Sequence, residues 1–131
     1  MIPPFNEEGY LPPGVHLATL EEVAERFGTG SEDREAQIDA LRRAVKLAKR
    51  IGVKRFIVNG SFVTAKQHPI DVDCVALADQ LTGSRDEREL EEGIPYVSVY
   101  LTVQPVFERF VRNFFASDDV HVPKGMVELL W

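Results

Sequence analysis

Two short pieces of this sequence carry residue types that could do chemistry: Gly60-Ser61 and, after the spacer Phe62 to Ile70, Asp71-Val72-Asp73. Side chains alternate along a strand, so a strand opening at Asp71 turns Asp71 and Asp73 to one face and Val72 and Cys74 to the other. Two carboxylates side by side are costly unless a cation lies between them. A hard, oxygen-seeking ion fits that need: Mg²⁺ or Mn²⁺, bridging carboxylates and the phosphates of a substrate. Gly60, with no Cβ, lets the backbone approach a phosphate closely. Ser61 offers a hydroxyl and a backbone N–H at the start of a short helix, where anions bind well. Lys66 adds a cation with the reach to meet a phosphate oxygen. The expected site is therefore Asp71 and Asp73 as catalytic, metal-holding residues, with Gly60, Ser61 and Lys66 on the nucleotide.

Each piece alone has a plainer explanation. Polar alternation on a half-exposed strand produces Asp-x-Asp, Gly-Ser is an ordinary turn, and exposed lysines are the rule. Their occurrence in this order between two expected strands is much rarer, and it is the combination that argues for a site. His16, His68 and His121 show no ligand spacing and read as structural or exposed. Cys74, facing away from the carboxylates, reads as a core residue. As the only cysteine it excludes an internal disulfide and argues against a Cys-based zinc site.

The elements that must position these residues are legible around them. Residues 1–18 are rich in Pro and Gly and read as an extended strap rather than an element, pinned by Phe5 and Tyr10. Thr19-Leu20-Glu21-Glu22 has capping-box form and predicts a helix over Leu20 to Phe27. Ser31 starts a longer one, in which Ile38, Leu41, Val45 and Ala48 recur at helical spacing until Gly52 stops it. Strands are expected at Arg55–Asn59 and Val72–Leu77. The charged run Arg85–Glu92 fits a surface helix or a loop. Tyr96 to Val103 alternates as a strand, with Tyr96, Ser98, Tyr100 and Thr102 on the site face. A helix from Pro105 carries Phe107, Phe110, Phe114 and Phe115 to the sheet. Val120 to Val122 reads as extended, and Met126 to Trp131 as a closing strand. The expected fold is one α/β (α+β) domain over residues 1–131, a small mixed sheet packed with helices.

With 131 residues and 44% hydrophobic composition the chain can bury a core. No stretch approaches the roughly 20 apolar residues of a membrane span, and the N-terminus lacks the basic and apolar regions of a signal peptide. The expected location is the cytoplasm. The net charge of -6 argues against a general nucleic-acid coat. From Leu41 to Ile70, however, there is no Asp or Glu, and Arg42, Arg43, Lys46, Lys49, Arg50, Lys54, Arg55 and Lys66 make the stretch locally positive. A nucleic-acid module using that stretch is the weakest of the readings.

At Gly60-Ser61 and Asp71-x-Asp73 the sequence resembles the minimal nucleotidyltransferases, a branch of the polymerase-beta-like superfamily. The spacer Phe62 to Ile70 is one residue shorter than in their signature. A closer similarity is to a group of small bacterial and archaeal proteins whose role is inferred from the fold. It runs through Leu11-Pro12-Pro13-Gly14-Val15-His16, Arg26-Phe27-Gly28, Gly60-Ser61-Phe62-Val63-Thr64, Pro69-x-Asp71-x-Asp73 and Lys124-Gly125.

The resemblance implies a nucleotidyltransferase-like fold and metal-dependent transfer of a nucleoside monophosphate from an NTP to an acceptor hydroxyl. Asp71 and Asp73 would hold the metal, and Gly60 and Ser61 the triphosphate. Many relatives of this kind act as antitoxins on a toxin, so a partner protein is an implied acceptor. The superfamily also places a third carboxylate on a neighbouring strand. Tyr96–Val103 contains no acid, which leaves Asp118 and Asp119 as substitutes and turn residues as their plainer role. The alternative is a catalytically degenerate fold that binds nucleotide or protein.

Overall fold

The computed structural model describes Met1–Trp131. Five strands form one sheet: β1 Gly14–Ala18, β2 Arg55–Asn59, β3 Val72–Leu77, β4 Val97–Thr102 and β5 Gly125–Leu129. Their spatial order is β1-β5-β2-β3-β4, with β1 parallel to β5, β3 parallel to β4, and β2 antiparallel to both of its neighbours. The helices are α1 Leu20–Phe27, α2 Glu32–Ile51, α3 Arg85–Glu92 and α4 Val106–Phe110, the last continuing as a π-helical turn over Val111–Phe115. The chain is thus a mixed α/β structure with a five-stranded mixed sheet. No helix is long and apolar enough to cross a membrane.

Local signals explain the helix ends. Thr19 and Glu22 close a reciprocal capping box, and the Ser31 hydroxyl accepts the Arg34 N–H. Gly52 ends α2 in the left-handed region at φ +96°, its N–H meeting the Ala48 and Lys49 carbonyls. The apolar stripe Leu41, Ala44, Val45 and Ala48 packs on one face of the sheet with Phe56, Val58, Cys74, Ala76, Val99 and Leu101. Burying a side chain such as Leu41 completely contributes about 1.5–3 kcal/mol. The other face carries a smaller cluster, in which Phe107 and Phe115 cover Ile57, Val75 and Met126. This division sets the site. Odd-numbered residues of β2 and β3 face α4, so Asn59 and Asp73 share a face with Phe115, whereas Cys74 is buried under α2.

Three expectations need correction. The segment 1–18 is not only a strap, because its end, Gly14–Ala18, is the edge strand β1, paired in register with β5. Its weak apolar pattern left no strand signal, and pairing is supplied by β5, a hundred residues away. The Leu11 carbonyl accepts the Gly125 N–H, and a Cβ on Gly125 would collide with the Pro12 carbonyl oxygen. Val120–Val122 is a turn rather than an extended piece: His121 has φ +67° and Asp118 accepts from the Val120 and Val122 N–H groups. The helix expected from Pro105 departs from α geometry at Val111, and it packs on the sheet through Phe107 and Phe115 while Phe114 stays exposed. The charged run Arg85–Glu92 resolves as a helix, capped by Ser84. The two pins of the strap are present: Phe5 packs 6.0 Å from Phe27, and the Tyr10 hydroxyl donates to Asp118 at 2.7 Å.

Candidate functional site

The site grows from the crossing of β2 into β3. Gly60 leaves β2 at φ +87° and ψ -179°, a conformation essentially reserved for glycine. A Cβ there would lie 2.8 Å from the Asp71 carbonyl oxygen and 3.0 Å from the Asp73 nitrogen. The close approach that demands glycine is therefore to the backbone of the Asp-x-Asp segment itself. Ser61 then opens a single 3₁₀ turn, Ser61–Val63. Its N–H donates to Asp71 Oδ1 at 2.8 Å, and its hydroxyl makes a short bond to the same oxygen. Ser61 Oγ in turn accepts the Ile70 N–H at 2.9 Å. Both donors expected to face an anion are thus used to fix Asp71.

The carboxyls of Asp71 and Asp73 are close enough to share a hydrogen bond. Burial raises both, but the bonds from Asp73 and Ser61 and the charge of Lys124 leave Asp71 below its ordinary value. Asp73 goes the other way. Burial first, then the hydrogen bond and charge of Asp71, push it up to about 7 against the opposing pull of Lys124. Without a cation the pair thus takes up one proton as the pH falls through about 7.

These residues border a cavity of about 920 Å³, which Gly60, Ser61, Lys66, Lys124 and the aromatic side chains Tyr100, Phe110 and Phe114 also line. All five expected site residues are brought to this cavity. Lys124, whose charge acts on both aspartates, went unassigned in the sequence because fifty residues and three elements separate it from Asp73. His68 lies at the surface 3.2 Å from Asp33, and His16 donates through Nε2 to the Pro12 carbonyl. Cys74 is buried, and burial pushes its thiol up.

Two further side chains, with no signature in sequence, hold the loop between Ser61 and Asp71. Buried Arg34 on α2 donates to the carbonyls of Phe27, Phe62, Thr64 and Lys66 at 3.0, 2.8, 2.8 and 2.7 Å. Three residues on, Gln37 donates to the Pro69 carbonyl at 2.6 Å. On β2, Asn59 donates from Nδ2 to the Phe115 carbonyl at 2.9 Å, while its buried Oδ1 has no partner.

The candidate third acids are not delivered as ligands. No group of three or more His, Cys, Asp or Glu side chains is assembled for a metal ion. Asp118 and Asp119 line the cavity, but Asp118 is held by Tyr10 and by the turn it caps. On β4 the register partner of Asp73 is Ser98. Much of the basic stretch is paired as well: Arg42 with Glu21, Arg50 with Asp86, Lys54 with Asp79, and Arg55 with Glu108 and Glu128.

Comparison with known proteins gives one match, spanning residues 3–130, to a family model described as Family of unknown function (DUF6932). The chain belongs to that family. Its description names no activity, and no curated protein and no solved structure matches the chain significantly. A functional reading of this DUF6932 member therefore rests on its own site geometry.

Proposed function

We propose that the protein is a metal-dependent nucleotidyltransferase that moves an NMP group from an NTP to an acceptor hydroxyl. The observation that carries the reading is the pairing of Asp71 with Asp73 at the Gly60-Ser61 turn, on the wall of a cavity that also receives Lys66 and Lys124. The donor set fits a hard divalent ion, since two carboxylate oxygens otherwise compete for one proton. Mg²⁺ or Mn²⁺ held there would neutralise phosphate charge as the acceptor oxygen displaces pyrophosphate. Ser61 acts through Asp71, holding that carboxylate in place, and Lys66 and Lys124 supply charge for the triphosphate. The cavity, about 920 Å³, is of a size suited to a nucleotide. Positioning and charge neutralisation then account for the catalysis.

The acceptor is proposed to be a hydroxyl of a partner protein, in the manner of an antitoxin modifying a toxin. Ile70, 81% exposed beside Asp71, and Phe114, 69% exposed, give the cavity rim an apolar surface suited to a protein. A cytoplasmic setting suits the single, buried cysteine. The ion pairs along the basic stretch keep a nucleic-acid partner the less favoured reading.

One observation favours a second reading. Ser98 stands where a third carboxylate would face Asp73, and no third acidic ligand is assembled. On that reading the domain binds nucleotide or protein and does not transfer.

Calorimetric titration of ATP, GTP, CTP and UTP with Mg²⁺ tests the first reading. Metal-dependent binding of one of them, lost in Asp71→Asn/Asp73→Asn, is expected. No binding of any NTP by folded wild-type protein would overturn it.

A further inference from the structure

Residues paired in register on adjacent strands place their side chains on the same face. Asn59 of β2 and Ser98 of β4 are both register partners of Asp73. Asn59, Asp73 and Ser98 therefore form one row across the sheet, on the α4 face, bordering the cavity that holds Asp71. Ser98 contributes a hydroxyl. Asn59 contributes something rarer, a buried oxygen with nothing bonded to it.

The orientation of that oxygen is fixed. Asn59 is 2% exposed, and its Nδ2 is committed to the Phe115 carbonyl, which leaves Oδ1 as the atom not engaged by the helix. A buried acceptor is expensive to leave without a partner. The chain contains one other such side-chain atom, Gln37 Oε1, and Gln37 does not border the cavity. A carboxamide oxygen is a hard, neutral donor of the kind that magnesium-like cations accept beside carboxylates.

We propose that Asn59 Oδ1 is the third protein ligand of a divalent cation bound by Asp71 and Asp73, taking the part that a third carboxylate on β4 does not play here. The inference rests on the metal-dependent reading of the site. It gives the ion two negative oxygens and one neutral one. The protein then cancels the charge of the cation without exceeding it, and the remaining coordination positions stay open to water and to phosphate oxygens. The π-helical turn gains a purpose as well, because the Phe115 carbonyl holds the amide so that oxygen, not nitrogen, meets the cation.

The test uses the full chain with ¹³Cγ-labelled asparagine, at pH 8, titrated with Mg²⁺. The sequence has Asn6, Asn59 and Asn113, so three carboxamide signals report. The Asn59 signal should move while the other two stay. Free Mn²⁺, measured by electron paramagnetic resonance, gives the affinities of variants. Asn59→Leu should weaken Mn²⁺ binding at least roughly tenfold, the loss found even for groups that only support a ligand.

Asn59→Asp should bind Mn²⁺ as tightly as wild type or more so, because a carboxylate oxygen replaces the amide oxygen. An Asn59 that serves only to hold Phe115 predicts the reverse order, since a carboxylate would repel that carbonyl. The proposal falls if wild type binds Mn²⁺ through Asp71 and Asp73 while the Asn59 signal is still and Asn59→Leu binds equally well. Should Asn59→Leu not fold, the wild-type titration alone decides. Absence of any Mn²⁺ binding to wild type would take down the metal-dependent reading and this inference with it.

Discussion

Arg34 offers the sharpest test of how the site is held. It is a buried guanidinium with no carboxylate partner, spent on four main-chain carbonyls, three of them in the loop between Ser61 and Asp71. Burial pulls its guanidinium below its ordinary value, yet far from losing its proton at any working pH. A hydrogen bond to a charged group contributes about 1.5–3 kcal/mol, so four taken as additive would reach roughly 6–12 kcal/mol. Desolvation of the charge offsets much of this; removing the guanidinium leaves its carbonyls without a donor, at about 1–3 kcal/mol for each one water does not reach, so two such carbonyls would cost roughly 3–5 kcal/mol.

At about 2.1 cal/mol/K per residue, unfolding 131 residues carries roughly 0.28 kcal/mol/K. Arg34→Met should therefore lower Tm by roughly 11–18 °C. Arg34→Lys should recover little, because one ammonium cannot span carbonyls on two sides of the loop. Hydrogen exchange should show residues 62–70 losing protection first, while α2 and the central strands keep theirs. The assay is thermal denaturation by circular dichroism with exchange on the same samples. A Tm within about 4 °C of wild type, equivalent to about 1 kcal/mol, with the loop still protected, would refute the clamp.

The remaining predictions concern the aspartates and the turn beneath them. Gly60→Ala must accept a left-handed backbone, costing about 1–3 kcal/mol, and a Cβ 2.8 Å from the Asp71 carbonyl, with overpacking of similar size. Its urea midpoint should fall by an amount corresponding to roughly 2–6 kcal/mol, and a change below about 0.5 kcal/mol would contradict the described crossing. Because Asp73 is pushed up to about 7 in the fold, from about 3.9 in the unfolded chain, the metal-free fold binds a proton that the unfolded chain releases. That contribution is fully present below the unfolded value and is lost as pH rises through about 7. In EDTA, this contribution to wild-type stability should decline from roughly pH 4 and level off just above pH 7. Asp73→Asn should flatten this decline, stabilise the metal-free protein at pH 8 and abolish Mn²⁺ binding. A urea-midpoint series showing the same slope in both proteins would refute the proton-sharing pair.

Much of the framework could be read from sequence, and the reasons are local. The capping box at Thr19, the apolar stripe of α2 and the runs Arg55–Asn59 and Val72–Leu77 each state their structure within a few residues, and each forms over the expected span. The shared face of Asp71 and Asp73 followed from strand alternation alone. What escaped depends on distant partners. The edge strand β1 exists because β5 accepts it. Lys124 reaches the aspartates from the far end of the chain. Arg34 and Gln37 look like ordinary polar positions of a surface helix, yet both are buried on the loop they hold. Polar residues on an amphipathic helix give no local sign of a carbonyl cluster waiting on another segment.

The roles expected for Gly60 and Ser61 show how one motif can carry two meanings. Both read as facing a phosphate, because glycine and a turn N–H are what a phosphate needs. In the fold their first role is internal. Gly60 admits the Asp71–Asp73 backbone, and Ser61 spends its N–H and hydroxyl on Asp71 Oδ1. The two roles need not conflict. A carboxylate that repels its neighbour has to be held by donors, and Ser61 supplies them, which keeps Asp71 ionised while Asp73 takes up the proton. A divalent ion entering the cavity then meets one oxygen set already fixed and charged, and needs to displace a single proton, from Asp73. By this logic Ser61→Ala should shift the proton between the two carboxyls and weaken Mn²⁺ binding more at pH 6 than at pH 8. Equal weakening at both values would mean that Ser61 supports the loop and nothing more.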